Sequence, residues 1–183
     1  GQVMDILYSM PKKLSVRDNI PLAISTLKTA YYTLCYPLLM GHTLAGPEKE
    51  DEIEIIRKFS IPLGLAFQIR DDLLGSFGIE SETGKTAESD IREGKLTLLV
   101  QAVMENLSQK EGRAFMDLLM REKKRAADIR EIRRIMVDSG ALEKTETVLK
   151  GYTAESRRHL EALSVTAKTE EVLEGLVCRI EEY

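Results

Sequence analysis

The chain has 183 residues, 43% of them hydrophobic and 31% charged, with a formal net charge of −4. That length and balance fit one large soluble domain with a substantial core, and the weak negative charge argues against a nucleic-acid partner. Cys35 and Cys178 lie far apart and form no CxxC unit, so they read as reduced core thiols of a cytoplasmic protein.

Apolar residues recur at helical spacing nearly throughout, and no run alternates with period two for long enough to demand a strand; an all-α protein is expected. The opening "GQVMDILYSM" carries Val3, Ile6, Leu7 and Met10 at that spacing, as though the chain begins within a helix that ends at Pro11. A second helix starts after Asp18 or Asn19 and takes Pro21 in its first turn, where a missing N–H costs little. It runs to about Gly46, with a bend at Pro37. Its uncharged stretch, from Tyr31 up to the first acid at Glu48, is broken by Pro37, Gly41 and Gly46, which suits a core helix rather than a transmembrane span. The acidic "PEKEDEIEII" places Glu48, Glu50, Asp51 and Glu52 at the positive end of a third helix, which extends to about Phe77 with a kink at Pro62.

Residues 79–94, "IESETGKTAESDIREG", are polar and lack an apolar period, which predicts a loop. Helices are then expected over about 95–106, 109–122, 127–138, 141–163 and 168–182. Ser108 and Glu111 have capping-box spacing. Val172, Leu173, Leu176, Val177 and Ile180 form one apolar stripe for core packing. The run "REKKRAADIREIRR", residues 121–134, holds seven basic and three acidic residues and no aromatic; it reads as a solvated helix face rather than a nucleic-acid patch.

Chemistry concentrates around "AFQIRDDLLGSFG", residues 66–78. Two adjacent carboxylates, Asp71 and Asp72, stand in an otherwise apolar helix, where a buried acid needs a partner, a proton or a metal. Gln68 lies three and four residues before them, on a shared face. The following loop carries Lys85, Asp90 and Lys95. Ammonium groups and carboxylates near one helix end suit a multiply charged anion bound through a divalent cation. Lys28, with Thr29 beside it and Tyr32 one turn on, sits in an apolar helix and either snorkels to the surface or faces a polar cavity. His42 and His159 lack metal-ligand spacing, and His159 is expected on the surface beside Arg157 and Arg158.

Five pieces, in order, resemble the trans-type polyprenyl diphosphate synthases: "GQVMD" at 1–5, "KTAYY" at 28–32, "PLLMGHTLAG" at 37–46, "GLAFQIRDDLLG" at 64–75 and "GKTAESDIREGKLTLL" at 84–99. The resemblance implies an isoprenoid synthase-type helical bundle. It also implies an enzyme that ionises an allylic prenyl diphosphate, adds it to isopentenyl diphosphate and loses a proton, with Mg2+ offsetting the charge on the leaving diphosphate. Asp71 and Asp72 would hold the metal. Lys28, Lys85 and Lys95 would grip the allylic diphosphate, Gln68, Thr29 and Asp90 would orient ligands or metal-bound water, and Tyr32 and Phe67 would wall an apolar cavity. Lys28, Gln68 and Asp71 are the expected catalytic residues.

Two departures qualify the resemblance. The family's second acidic motif often reads D-D-x-x-D, and here its fifth position is Gly75. The family's N-terminal half, with a first aspartate-rich motif, has no counterpart in this sequence. Residues 1–183 are therefore expected to be the C-terminal part of a single synthase-like helical domain, inactive alone and homodimeric at full length. Apolar faces around 22–45 and 61–77 would then be exposed. The alternatives are a non-catalytic helical partner of a complete synthase and a class I terpenoid synthase; the lysine placement favours chain elongation over the latter.

Overall fold

A computed structural model describes residues 1–8, 19–46, 50–78 and 88–182. These residues form α-helices α1 (Gln2–Tyr8), α2 (Ile20–Ser25), α3 (Tyr36–Ala45), α4 (Glu50–Phe77), α5 (Ser89–Glu93), α6 (Leu98–Asn106), α7 (Gln109–Leu119), α8 (Ala126–Asp138), α9 (Ala141–Leu160) and α10 (Ala167–Glu181). Between α2 and α3 the backbone is π-helical over Thr26–Cys35. No strand occurs among the described residues, as the absence of period-two alternation predicts. The helix stop expected at Pro11 lies outside the described residues. Also among the described residues, no helix is long and apolar enough to cross a membrane.

The described chain forms two compact units, and α4 and α9 each contribute to both. The first comprises Gly1–Gln2, Leu22–Arg70 and Val148–Tyr183. Ala30, Phe59, Leu63, Ile69, Leu149 and Val177 are buried in it. Pro62 stands inside α4, where its ring interrupts the helical hydrogen-bond ladder. One turn earlier, Ser156 of α9 donates to the Phe59 carbonyl at 2.9 Å. Arg157 joins α9 to α10 by donating to Glu174 at 2.7 Å and Glu181 at 2.6 Å. In α10, Leu173, Val177 and Ile180 are buried, whereas Val172, expected in the same stripe, is 63% exposed. His159 is half-buried rather than on the open surface.

The second unit comprises Val3–Pro21 and Asp71–Thr147. Its buried side chains include Leu73, Leu99, Phe115, Ile129, Ile132 and Met136, and α8 packs against α5, α6 and α7. Each of these helices has a polar start. Thr97 accepts the Val100 N–H at 3.3 Å before α6. Ser108 and Glu111 form the expected capping box before α7, and the Asp128 carboxylate accepts the Arg125 N–H at 2.8 Å before α8. Such bonds satisfy donors that have no partner within the helix.

Several expectations are corrected. The helix α5 lies where a loop was expected up to residue 94. The helices α7 and α9 stop at Leu119 and Leu160, short of 122 and 163, because the chain tightens into three-residue bonds: Arg121 N–H to the Leu118 carbonyl, and Leu163 N–H to that of Leu160. Much of the 61–77 face is buried, with Leu63, Ala66 and Leu73 fully so. Over 22–45 the expected exposure is observed: Leu27, Tyr32, Tyr36, Met40 and Leu44 are 50–85% exposed.

Candidate functional site

In the first unit, the site residues meet where α4 crosses the π-helical segment. A π-helix is wider and rarer than an α-helix and is seldom stable without tertiary support. Here its bonding reaches the next helix: the Tyr36 N–H donates to the Tyr31 carbonyl, five residues back. Pro37 then enters the first turn of α3. The expected bend at Pro37 thus coincides with a change of helix type. Gly64 of α4 lies against Ala30 so closely that a β-carbon there would collide with the Ala30 backbone. One turn on, the Thr29 hydroxyl donates to Gln68 Oε1 at 2.5 Å, with Thr29 5% and Gln68 9% exposed. Lys28 is half-buried beside this pair. Tyr32, expected as a cavity wall, is 76% exposed, and Phe67 is half-buried.

A separate cavity of about 420 Å3 in the same unit is lined by Pro37, His42, Glu52, Phe59, Leu163 and Leu173, among others. His42 Nε2 and Glu52 Oε2 stand 3.5 Å apart there.

In the second unit, the last turns of α4 and the turn after α5 bring charges together. Lys95 Nζ donates to Asp72 Oδ1 and to Asp90 Oδ2, each at 3.1 Å. Asp72 is buried, and the side chains of Asp90 and Lys95 are 12% and 19% exposed. Burial alone would lower the Lys95 pKa, but attraction to Asp72, then Asp90, outweighs it and raises the pKa above the usual lysine value. The ammonium is therefore fixed as a cation between the two acids. The backbone reinforces the arrangement, since the Lys95 N–H donates to the Asp90 carbonyl at 2.9 Å. Asp71 is half-buried on the same helix. Lys85 lies outside the described residues.

The basic run 121–134 supplies residues that sequence reasoning left to solvent. Lys124 donates to the carbonyls of Arg92 and Arg121, both at 2.9 Å, tying down the turn that carries Lys95. Arg133 donates from Nε to the Ser76 carbonyl at 2.7 Å, near the end of α4. Its guanidinium also stands over the Phe77 ring and 3.9 Å from Glu88, at the start of α5. Arg121 and Arg125 pair with Asp128, and Arg134 pairs with Glu131 and Asp138. Regular i,i+3 and i,i+4 spacing explains the helical pairs, but nothing in the sequence forecasts the two long-range contacts.

Asp72 and Asp90 already converge on one positive charge, and Mg2+ is commonly held by one or two carboxylates completed by water and substrate phosphates. Among the described residues, no group of three or more His, Cys, Asp or Glu is arranged to hold a metal by itself. A site here would therefore be completed by oxygens from outside those residues.

Comparison with known proteins agrees with the motif order. The family model described as polyprenyl synthetase matches residues 1–136. The chain is 33% identical over 183 residues to a geranylfarnesyl diphosphate synthase of Aeropyrum pernix, covering all of this chain and 55% of the relative. It is 29% identical over 171 residues to a geranylgeranyl diphosphate synthase of Saccharolobus solfataricus, covering 93% of this chain and 50% of that one. The crystal structure of geranylgeranyl pyrophosphate synthase from Corynebacterium glutamicum, complexed with isoprenyl diphosphate and magnesium, superposes with a TM-score of 0.89. It shares 30% identity, over 99% of this chain and 50% of that chain. The chain thus spans about half the length of the relatives it matches.

Proposed function

The chain belongs to the polyprenyl synthetase family and has its all-α isoprenoid synthase fold, and from that premise we propose that it serves prenyl transfer between an allylic diphosphate and isopentenyl diphosphate. In that reaction the allylic carbon–oxygen bond breaks to leave a cation and free diphosphate. The isopentenyl double bond attacks the cation, and a proton is lost to give a product one isoprene unit longer. Bound Mg2+ supplies positive charge that offsets the charge gathering on the departing diphosphate.

The chain's own residues divide the work. Asp71 and Asp72 hold the cation and Asp90 completes or orients its ligands. Lys28, Lys85 and Lys95 grip the allylic diphosphate. Thr29 and Gln68 lock each other's rotamers, so that the Gln68 amide meets substrate in one orientation. The observation that carries this reading is the convergence of Asp72 and Asp90 on Lys95 within a chain of this family. Residues 1–183 are read as the C-terminal part of a single synthase domain, cytoplasmic and homodimeric when whole.

A second reading, as a helical partner subunit, draws on Tyr32, Tyr36, Met40 and Leu44. These four residues recur every fourth position and are 54–85% exposed, an apolar stripe of the kind that marks a docking face.

The test is calorimetric binding of a non-hydrolysable allylic diphosphate, alongside an elongation assay with isopentenyl diphosphate. Binding that requires Mg2+ and is lost in Asp71→Ala supports the synthase reading. Metal-independent binding, or none, with co-purification of a longer synthase favours the partner subunit.

A further inference from the structure

Gly75 occupies the fifth position of the motif that opens with Asp71 and Asp72, on the same face of α4 as both. The space beside it is taken. A β-carbon built on Gly75 would stand 2.6 Å from Asp90 Cγ and 2.7 and 2.9 Å from its two oxygens, distances that real β-carbons do not sustain. The Asp90 carboxylate therefore lies directly on the α4 backbone, where the first atom of any side chain at position 75 would be. Its seat is fixed from two sides: by the Lys95 ammonium, which also holds Asp72, and by the backbone bond from Lys95.

We propose that Gly75 is a positioning residue: by carrying no side chain, it admits the Asp90 carboxylate to the face of α4 one turn beyond Asp71, so that the acid this helix lacks there is supplied from α5. The acid one turn beyond Asp71 is then Asp90 rather than a residue of α4, and an aspartate at position 75 competes with Asp90 for one place. In its use of a divalent cation the inference rests on the prenyl-transfer reading. The steric part stands on the geometry alone.

The sharpest consequence runs against the family pattern. Writing the fifth aspartate back with Gly75→Asp weakens cation binding. Pairing it with Asp90→Ala, which empties the contested place, restores binding. Gly75→Ala displaces the short Asp90 side chain without removing an acid, and because the carboxylate is the free end of that side chain, the fold is retained.

The experiment uses the whole chain, with Mn2+ as the probe, alone and with inorganic diphosphate, read by the electron paramagnetic resonance signal of the free ion. Carboxyl 13C NMR of Asp90, assigned by its loss in Asp90→Asn, is the second readout. The expected results are an Asp90 shift in Gly75→Ala with cooperative unfolding retained, and Mn2+ affinity about tenfold weaker in both Gly75→Asp and Asp90→Asn, the scale at which groups orienting metal ligands act. The double variant Gly75→Asp/Asp90→Ala recovers most of the affinity. An unmoved Asp90 signal in Gly75→Ala, or tighter Mn2+ binding by Gly75→Asp than by the unaltered chain, overturns the assignment and leaves the synthase reading standing. An unaltered chain that binds no Mn2+ even with inorganic diphosphate present, and whose carboxyl signals ignore the ion, overturns both.

Discussion

Where α4 crosses the π-helical segment, Thr29 and Gln68 meet through one neutral hydrogen bond, in a place made narrow by Gly64 lying against Ala30. In the last turns of α4, Asp72, Asp90 and Lys95 meet through charge, with a cation fixed between two acids. The first arrangement depends on how closely two backbones approach, and ionic strength and pH leave it alone. The second depends on charge balance, so anything that competes for the carboxylates changes it.

The largest expected effect comes from removing the cation. Lys95→Met leaves Asp72 and Asp90 facing each other with little solvent. Removing one partner of a fully buried pair typically costs roughly 3–5 kcal/mol; with Lys95 partly exposed, about 2–3 kcal/mol is expected in urea unfolding. Mg2+ should recover more stability in this variant than in the unaltered chain, because the metal no longer competes with an ammonium. The sign with pH follows from the raised pKa. The Lys95 contribution is present in full below the unfolded-state value, near pH 10.4, and fades as pH rises through the higher folded-state value. An equal stability gap between the two chains through that alkaline range would show that Lys95 acts by packing and not by charge.

The neutral crossing should break differently. Gly64→Ala forces a β-carbon into the Ala30 backbone, and overpacking of this kind is expected to cost about 2 kcal/mol. The penalty should be the same in low and high salt. A salt-dependent loss would mean that the crossing also carries the nearby Lys28 charge. Thr29→Val keeps the shape and deletes the hydroxyl, so Gln68 loses one bond at a cost of about 1 kcal/mol. If rotamer locking is its role, the variant should bind an allylic diphosphate more weakly while its melting temperature falls only slightly. Unchanged binding would reduce the Thr29–Gln68 bond to structural support.

Much of this architecture is visible in the pattern of residues. The capping box at Ser108, the acidic start of α4 and the apolar stripe of Leu173, Val177 and Ile180 are local signals with local causes. The segment 26–35 is different. Its apolar period is satisfied by an α-helix and by a π-helix alike, and the close approach of Gly64 to Ala30 within it is a tertiary contact that no local spacing encodes. α5 was hidden because five residues are too few to show a helical period. Asp71, Asp72 and Asp90 stand out by composition, but that Asp90 fills the place beside Gly75 is a distance between residues fifteen apart. Lys124 and Arg133 were hidden by their neighbours: in a run where most charges pair three or four residues away, two that reach backbone carbonyls elsewhere look no different.

The smallest effect tests whether the charged region depends on the helix that braces it. Asp128 is buried at the start of α8, and its carboxylate accepts the Arg125 N–H and faces the guanidiniums of Arg125 and Arg121. Those contacts, the backbone bond foremost, hold its pKa below the usual carboxylate range. A depressed folded-state pKa means that the unfolded chain takes up the proton first. The contribution is therefore complete above the ordinary aspartate value, about pH 4, and is lost as pH falls through the folded-state value. Asp128→Asn keeps an acceptor for the helix start but gives up the charge, so its stability should lie below that of the unaltered chain at neutral pH and converge with it in acid. Thr29→Val should show no such convergence, its deficit staying level across the same range. Because α8 carries Arg133 to the Ser76 carbonyl, loosening the start of α8 should also raise hydrogen exchange at the end of α4. If exchange there is unchanged while the acid convergence appears, Asp128 stabilises α8 without bracing the end of α4.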